Sequence, residues 1–371
     1  MSEKRAAVAL DRLDDGALPH EFALLADVAA DAGLDGNDPP PVQRRWFNPT
    51  TGGHVSAVAW GSGRPELVFL HDAGRGARQW DAVILALGRP AVALDLPGHG
   101  RSDRRRDGRY ELARLAAVTA EAIASFAPRA RLVVGSGLGG LTALALAVRR
   151  PELVRRLVLL DTLPGAGRAV RPAASAAPAS RADAVRLLAD TIPRTDLPRT
   201  DLPWTAGSAA EIGSTGGVDS GGGVRSAGGV DLVGRALRRE VLYGTVHEPD
   251  GGWTWRHDPA LAAVDHDPER SWGDLATATA GGAGGAPAVA VSVIRAASSP
   301  CADDLEEAVR RAGVQVLTVD GVDTDVEIER PAALAGVLEG LLLDSVPDAT
   351  RQAAAGAPQE TPGSNHEENR P

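Results

Sequence analysis

The chain has 371 residues, 43% of them hydrophobic but only 4% aromatic, which suits one large α/β core with attachments. A formal charge of −10 opposes non-specific nucleic-acid binding, and the one dense basic stretch, GRSDRRRDGR at 100–109, carries two aspartates and reads as a solvated loop. A single cysteine, Cys301, excludes an internal disulfide and a zinc or redox pair. The first residues are interrupted by charges where a leader would be apolar, and no run reaches membrane-spanning length, so the expectation is a cytoplasmic protein with no membrane span.

Residues 1–40 combine an amphipathic helical pattern (Phe22, Leu24, Leu25, Val28) with a proline break, and read as an appendage. Apolar, β-rich runs follow at 54–60, 66–71, 91–96, 131–135 and 156–161. The last four lack polar alternation and are separated by helical patterns, which predicts buried parallel strands. One helix is marked by Leu112, Leu115, Ala116, Thr119, Ile123 and Phe126, and a second by the small residues of LGGLTALALAVRR. Strand, helix, strand in repetition predicts a mostly parallel wound sheet with helices on both faces over 41–164.

After Pro164 the pattern breaks, and 165–287 reads as an insertion. It contains a direct duplication, RTDLPRTDLP, and a Gly-rich stretch at about 205–231 with too little apolar surface to offset its ordering entropy, read as a mobile loop. The core resumes over 288–344, with strands at 288–295 and 314–320, a helix at 303–313 with acids first and arginines last, and a closing helix opened by Pro331. The tail 345–371 is expected to be disordered.

Several ordered motifs resemble the α/β-hydrolase superfamily, in particular its cap-bearing esterase, lipase and epoxide-hydrolase-like members. LVFLHDAG is similar to the strand and oxyanion-loop motif, and DLPGHGRS at 95–102 to the D-x-P-G-x-G-x-S segment. VVGSGLGG stands where G-x-S-x-G is expected, DVEIERP at 325–331 resembles the segment after the catalytic histidine, and GGWTWRHDP at 251–259 resembles the end of a cap. The resemblance covers roughly residues 43–343 and implies an α/β-hydrolase fold whose insertion at 165–287 is the cap.

That resemblance also implies a serine, an acid and a histidine. The matching positions read Gly137, Ser298 (or Ser299) and Thr324, so the triad looks lost at three separate motifs. Ser136 falls one residue early and reads as a local turn serine. Candidate substitutes are His71 and Asp72 at the end of the third run, and Asp323 beside the lost histidine's place, where a pair of carboxylates with separated pKa values could do acid–base work. Asp95, His99 and Asp161 read as turn residues and Cys301 as inert. The two HDP triplets read as turns, with no recognised ligand spacing, so no metal and no cofactor is expected.

Three functional readings stay open. The first is a triad-less protein with a retained pocket near His71, Asp72, Ala73 and Leu138 for a small apolar ligand or a protein partner. The second is an active hydrolase, esterase-like, or a non-hydrolytic enzyme using unusual residues. The third is a degenerate copy without function. Oligomeric state is not readable.

Overall fold

The computed structural model describes residues 20–34, 39–165, 174, 176–190, 232–264, 266–281, 287–299, 303–322 and 325–344. The Gly-rich stretch, the RTDLP duplication, the tail from 345, Cys301, Asp323 and Thr324 lie outside the described residues.

The chain begins with α1 (Leu25–Asp31), β1 (Val42–Phe47), β2 (Val55–Trp60), β3 (Leu67–Leu70), α2 (Asp81–Leu87) and β4 (Ala91–Asp95). It continues with α3 (Leu112–Phe126), β5 (Leu132–Ser136), α4 (Gly137–Arg149) and β6 (Arg156–Leu160). Between β6 and the return to the sheet come α5 (Arg181–Ala189), α6 (Leu232–Gly244), a hairpin of β7 (Thr245–His247) and β8 (Trp253–Trp255), and α7 (Pro268–Ala280). The chain then forms β9 (Ala290–Ala296), α8 (Asp303–Arg311), β10 (Gln315–Val319), α9 (Val326–Glu329) and α10 (Pro331–Asp344).

Eight strands make one sheet in the order β1-β2-β4-β3-β5-β6-β9-β10. β1, β2 and β4 pair antiparallel, and every pair from β4 to β10 is parallel. β3, β4 and β5 are buried along their whole length, because apolar layers cover both faces. Val68 and Leu70 face a layer with Leu115, Ile123, Leu144 and Leu275, while Leu67 and Phe69 face one with Trp80, Ile84 and Leu338. Alternation along the strand thus divides neighbouring residues between two cores, and the wound α/β sheet expected from the sequence is what forms.

Three elements depart from the sequence reading. β1 was not anticipated, since its side chains are half-exposed or exposed and VQRRWF carries no apolar run; it is held as an edge strand by backbone pairing to β2. The segment read as an N-terminal appendage is packed in: Leu24 and Leu25 are buried, Glu21 pairs with Arg44 of β1, and Asp31 pairs with Arg235 and Arg239 of α6. Helix α7, counted within the insertion, places Leu275 and Ala278 in the core layer beside α4. Among the described residues no helix is long and apolar enough to cross a membrane.

Where α1, α2 and α6 meet, the Arg78 guanidinium lies 4.8 Å from the Phe22 ring centroid and 4.5 Å from that of Tyr243. It also approaches Asp81 at 2.6 Å. Burial outweighs this attraction and pushes the Asp81 carboxyl up to about 6. A carboxyl whose folded pKa exceeds its unfolded one gives stability that is complete below the unfolded value and is lost as pH rises through about 6. Asp81→Asn is therefore expected to raise Tm at pH 7.5 by roughly 2–4 °C, about 1 kcal/mol, with a smaller gain at pH 4. Thermal melts of both proteins across this range test it, and a gain that shrinks with rising pH would contradict it.

Candidate functional site

β5 ends at Ser136 and α4 starts at Gly137, so the tight turn falls at the C-terminal end of a central strand. Gly137 has φ +49°, which a residue with a side chain adopts only under strain. Two residues on, a Cβ at Gly139 would lie 2.4 Å from the Leu70 carbonyl oxygen, so only glycine lets α4 start this close to β3. The Gly137 N–H donates to Thr162 Oγ1 at 2.7 Å.

The space above Gly137 is taken. A Cβ there would lie 1.8 Å from Asp72 Oδ1, so the Asp72 carboxylate occupies the place a side chain at 137 would need. Oδ1 accepts the N–H of Ala73 at 2.7 Å and that of Leu138 at 2.9 Å. One donor comes from the loop after β3 and the other from the first turn of α4, where the helix dipole favours an anion. In a nucleophile elbow this same pair of donors holds the oxyanion that develops during acyl transfer. Here the chain supplies its own anion.

Asp72, Ala73, Gly137 and Leu138 are therefore brought together, but the other predicted site residues go elsewhere. His71 is fully buried: its Nε2 accepts the Leu96 N–H at 2.9 Å, and its Nδ1–H donates to the Asp72 carbonyl at 2.7 Å. Burial lowers its pKa, so it is a neutral strut between two loops and not an acid or base of the site. His99 packs edge-on against His71 at 4.7 Å, and burial, then His71 and His257, lower its pKa further. Ser136 Oγ accepts from Gln79 Nε2 at 3.2 Å, and among the described residues no histidine bonds to it. Ser298 Oγ donates to the Val322 carbonyl, and Ser299 Oγ donates to Asp161 Oδ1 at 2.7 Å. Asp161, at φ +44°, also accepts the Ala296 N–H at 2.9 Å, so this carboxylate ties the ends of β6 and β9 together. Burial raises its pKa.

A buried ionic cluster beside the elbow was missed from sequence. Arg75 reaches Glu240 at 3.2 Å, Asp325 at 3.1 Å and Glu327 at 3.4 Å, linking the oxyanion loop to α6 and to the segment before and within α9. Burial opposes the Arg75 charge, but these carboxylates outweigh it and hold the pKa above the ordinary guanidinium value. Gln79 couples this cluster to the elbow, since its Nε2 donates to Glu327 Oε1 at 2.8 Å and its Oε1 accepts the Asp72 N–H at 3.1 Å. The signal in the sequence is the acidic spacing of DVEIE, within the segment that resembles the one after the catalytic histidine.

A cavity of about 380 Å³ adjoins the cluster, lined among others by Arg75, Gln79, Tyr243, Trp253 and Arg256. His71, Asp72, Ala73 and Leu138, expected to line the pocket, are not among the residues lining this cavity, whose wall combines charged side chains with apolar ones such as Val28, Leu242, Val246 and Trp253. Asp72 holds the N–H groups of Ala73 and Leu138, and the open volume lies on the side of α1 and α6.

A family model described as alpha/beta hydrolase fold matches residues 65–208. The solved structure of an esterase of Mycobacterium tuberculosis, Rv0045c, superposes on 87% of this chain and 98% of that one, with TM-score 0.66 and 29% identity. The chain is built on the α/β-hydrolase fold. In sequence it is 47% identical to that esterase over 146 residues, 39% of this chain and 47% of the relative. It is 37% identical over 112 residues to a pimeloyl-[acyl-carrier protein] methyl ester esterase of Aeromonas hydrophila, 30% of this chain and 42% of that one. These alignments span less than half the length of either relative.

Two outcomes test how this hydrolase-fold site is built. Arg75→Met leaves the buried carboxylates of Asp325 and Glu327 and the partly buried one of Glu240 without their counter-charge, so it is expected to destabilise the protein by about 3–5 kcal/mol at pH 7.5 and by less at pH 4.5, where carboxyls gain protons. Urea denaturation at the two pH values reads this, and an equal loss at both would contradict it. Gly137→Ser must displace the Asp72 carboxylate and is expected to lose about 1–3 kcal/mol, part of which is restored when Asp72→Gly is added. A double-mutant cycle measures the coupling, and strict additivity would mean the two positions do not compete for one space.

Proposed function

We propose that this chain binds a small ligand in the cavity beside its elbow and performs no serine-based ester hydrolysis. One observation carries the reading: the Asp72 carboxylate sits on the N–H groups of Ala73 and Leu138, in the space over Gly137. Serine chemistry needs a hydroxyl at that apex and free donors for the oxyanion, and one anion displaces both. Glycine at 137 also removes the strain that a nucleophile's backbone would carry there.

The esterase relatives favour a second reading more directly than the first. An active hydrolase on this scaffold would use a group other than a residue at 137, and Asp72 is the ionisable side chain held at the apex. Its Oδ2 makes no hydrogen bond with the described residues, while Oδ1 is held by two. Asp72 would then serve as the base or nucleophile of an esterase-like or related reaction on a small substrate.

The two readings separate in one experiment. Purified protein is exposed to a fluorophosphonate probe, with adducts located by mass spectrometry, and assayed in parallel on p-nitrophenyl butyrate. The binding reading expects no serine adduct and no turnover above the buffer rate. An adduct at Ser136 or any other serine would overturn it. Turnover without an adduct, lost in Asp72→Asn, would establish the carboxylate-based enzyme.

A further inference from the structure

At one end of the cavity the charges do not cancel. Arg44, Arg101 and Arg256 line it together with Glu21 and Asp95, and these are the charged groups of the described residues that act most on Arg256. Asp95 is already engaged by an ion pair with Arg44, by the Ser56 hydroxyl at 3.1 Å, and by the N–H groups of Ala77 at 2.7 Å and Arg101 at 3.1 Å. Glu21 is taken by Arg44 and reaches Arg101 only at 3.7 Å.

Arg256 completes the imbalance. Its backbone N–H donates to the Gly244 carbonyl at 2.7 Å, which pins it beside the β7–β8 hairpin. Among the described residues, its guanidinium makes no hydrogen bond and no ion pair. Burial and the neighbouring charge of Arg101 lower its pKa, with Asp95 and Glu21 only partly compensating. A half-buried guanidinium repelled by a second one is electrostatically unfavourable until an anion lies between them.

We infer that this end of the cavity binds the anionic group of a small organic ligand, a carboxylate or phosphate monoester, with Arg256 and Arg101 as its counter-charges. The ligand's apolar body would lie against Val28, Leu242, Val246 and Trp253, which line the same cavity. A volume of about 380 Å³ falls within the range of small-ligand pockets. Arginine suits both head groups, because its planar fork can bond two oxygens at once. The inference rests on the binding reading for the cavity's use but not on the chemistry at the elbow, since Asp72, Gly137 and Leu138 do not line the cavity.

Isothermal titration of the full chain with octanoate, octyl phosphate, inorganic phosphate and octanol tests it. Octanoate or octyl phosphate is expected to bind, the tighter of the two identifying the head group, with octanol and inorganic phosphate each about tenfold weaker or more. Arg256→Gln is expected to weaken the anion by about tenfold, and Arg256→Lys to recover part of that loss. Octanol binding as tightly as the anions, no binding by either anion, or an unchanged affinity in a folded Arg256→Gln would each overturn the inference. If Arg256→Gln fails to fold, the comparison of octanoate with octanol on the wild-type chain decides alone. A serine adduct with fluorophosphonate would overturn the binding-only reading and leave this inference standing. Octanol binding on its own would leave that reading and overturn this inference.

Discussion

Two buried N–H groups, of Ala73 and Leu138, have to be satisfied, and the Asp72 carboxylate satisfies both. This is possible only because residue 137 has no side chain, since any Cβ there would overlap the carboxylate. Gly137, Asp72 and the start of α4 therefore form one unit. Changing any member leaves a donor pair unpaired or an anion displaced. The arrangement also orders what surrounds it: Gln79 holds the Asp72 backbone and passes on to Glu327, and Arg75 joins that carboxylate to Asp325 and Glu240. The turn at Gly137 is thus joined to a polar chain of side chains running to α6.

The open space lies beside that chain of contacts. The loop after β3 is drawn against α9 and α6 by Arg75, and α1 is fastened to α6 through Asp31. The remaining volume lies between these elements, with arginines at its wall. The likeness to esterases includes the scaffold that positions loops at the strand ends, and such a scaffold carries different chemistries according to the residues placed there. In this chain those residues are a carboxylate at the apex and guanidinium groups in the cavity.

Much of the framework was legible in the sequence. Runs such as LVFL and LVVGS are buried on both faces, so they carry no alternation and announce parallel strands directly. The glycines of VVGSGLGG announced a tight turn, since close approach and positive φ select for glycine whatever the rest of the fold does. β1 was not legible, because an edge strand is held by its backbone and VQRRWF need not be apolar. Nor was the place of α7: PERSWGDLATATA has too few large apolar residues to show which layer it joins.

The sequence by itself determined the succession of the core strands β2 to β6, β9 and β10, the helices α3, α4, α8 and α10, and the tight turn with glycine at 137. These depend on local backbone preference and apolar periodicity, which act between neighbours in the chain. Only the tertiary structure decided that Asp72 fills that apex, that His71 is a buried strut, and that Arg75 gathers carboxylates from positions 240, 325 and 327. It alone decided that Arg256 lines the cavity with Arg101 and, among the described residues, has no ion-pair partner. Each of these depends on the distance between groups far apart in sequence, and charge and hydrogen bonding act through that distance alone.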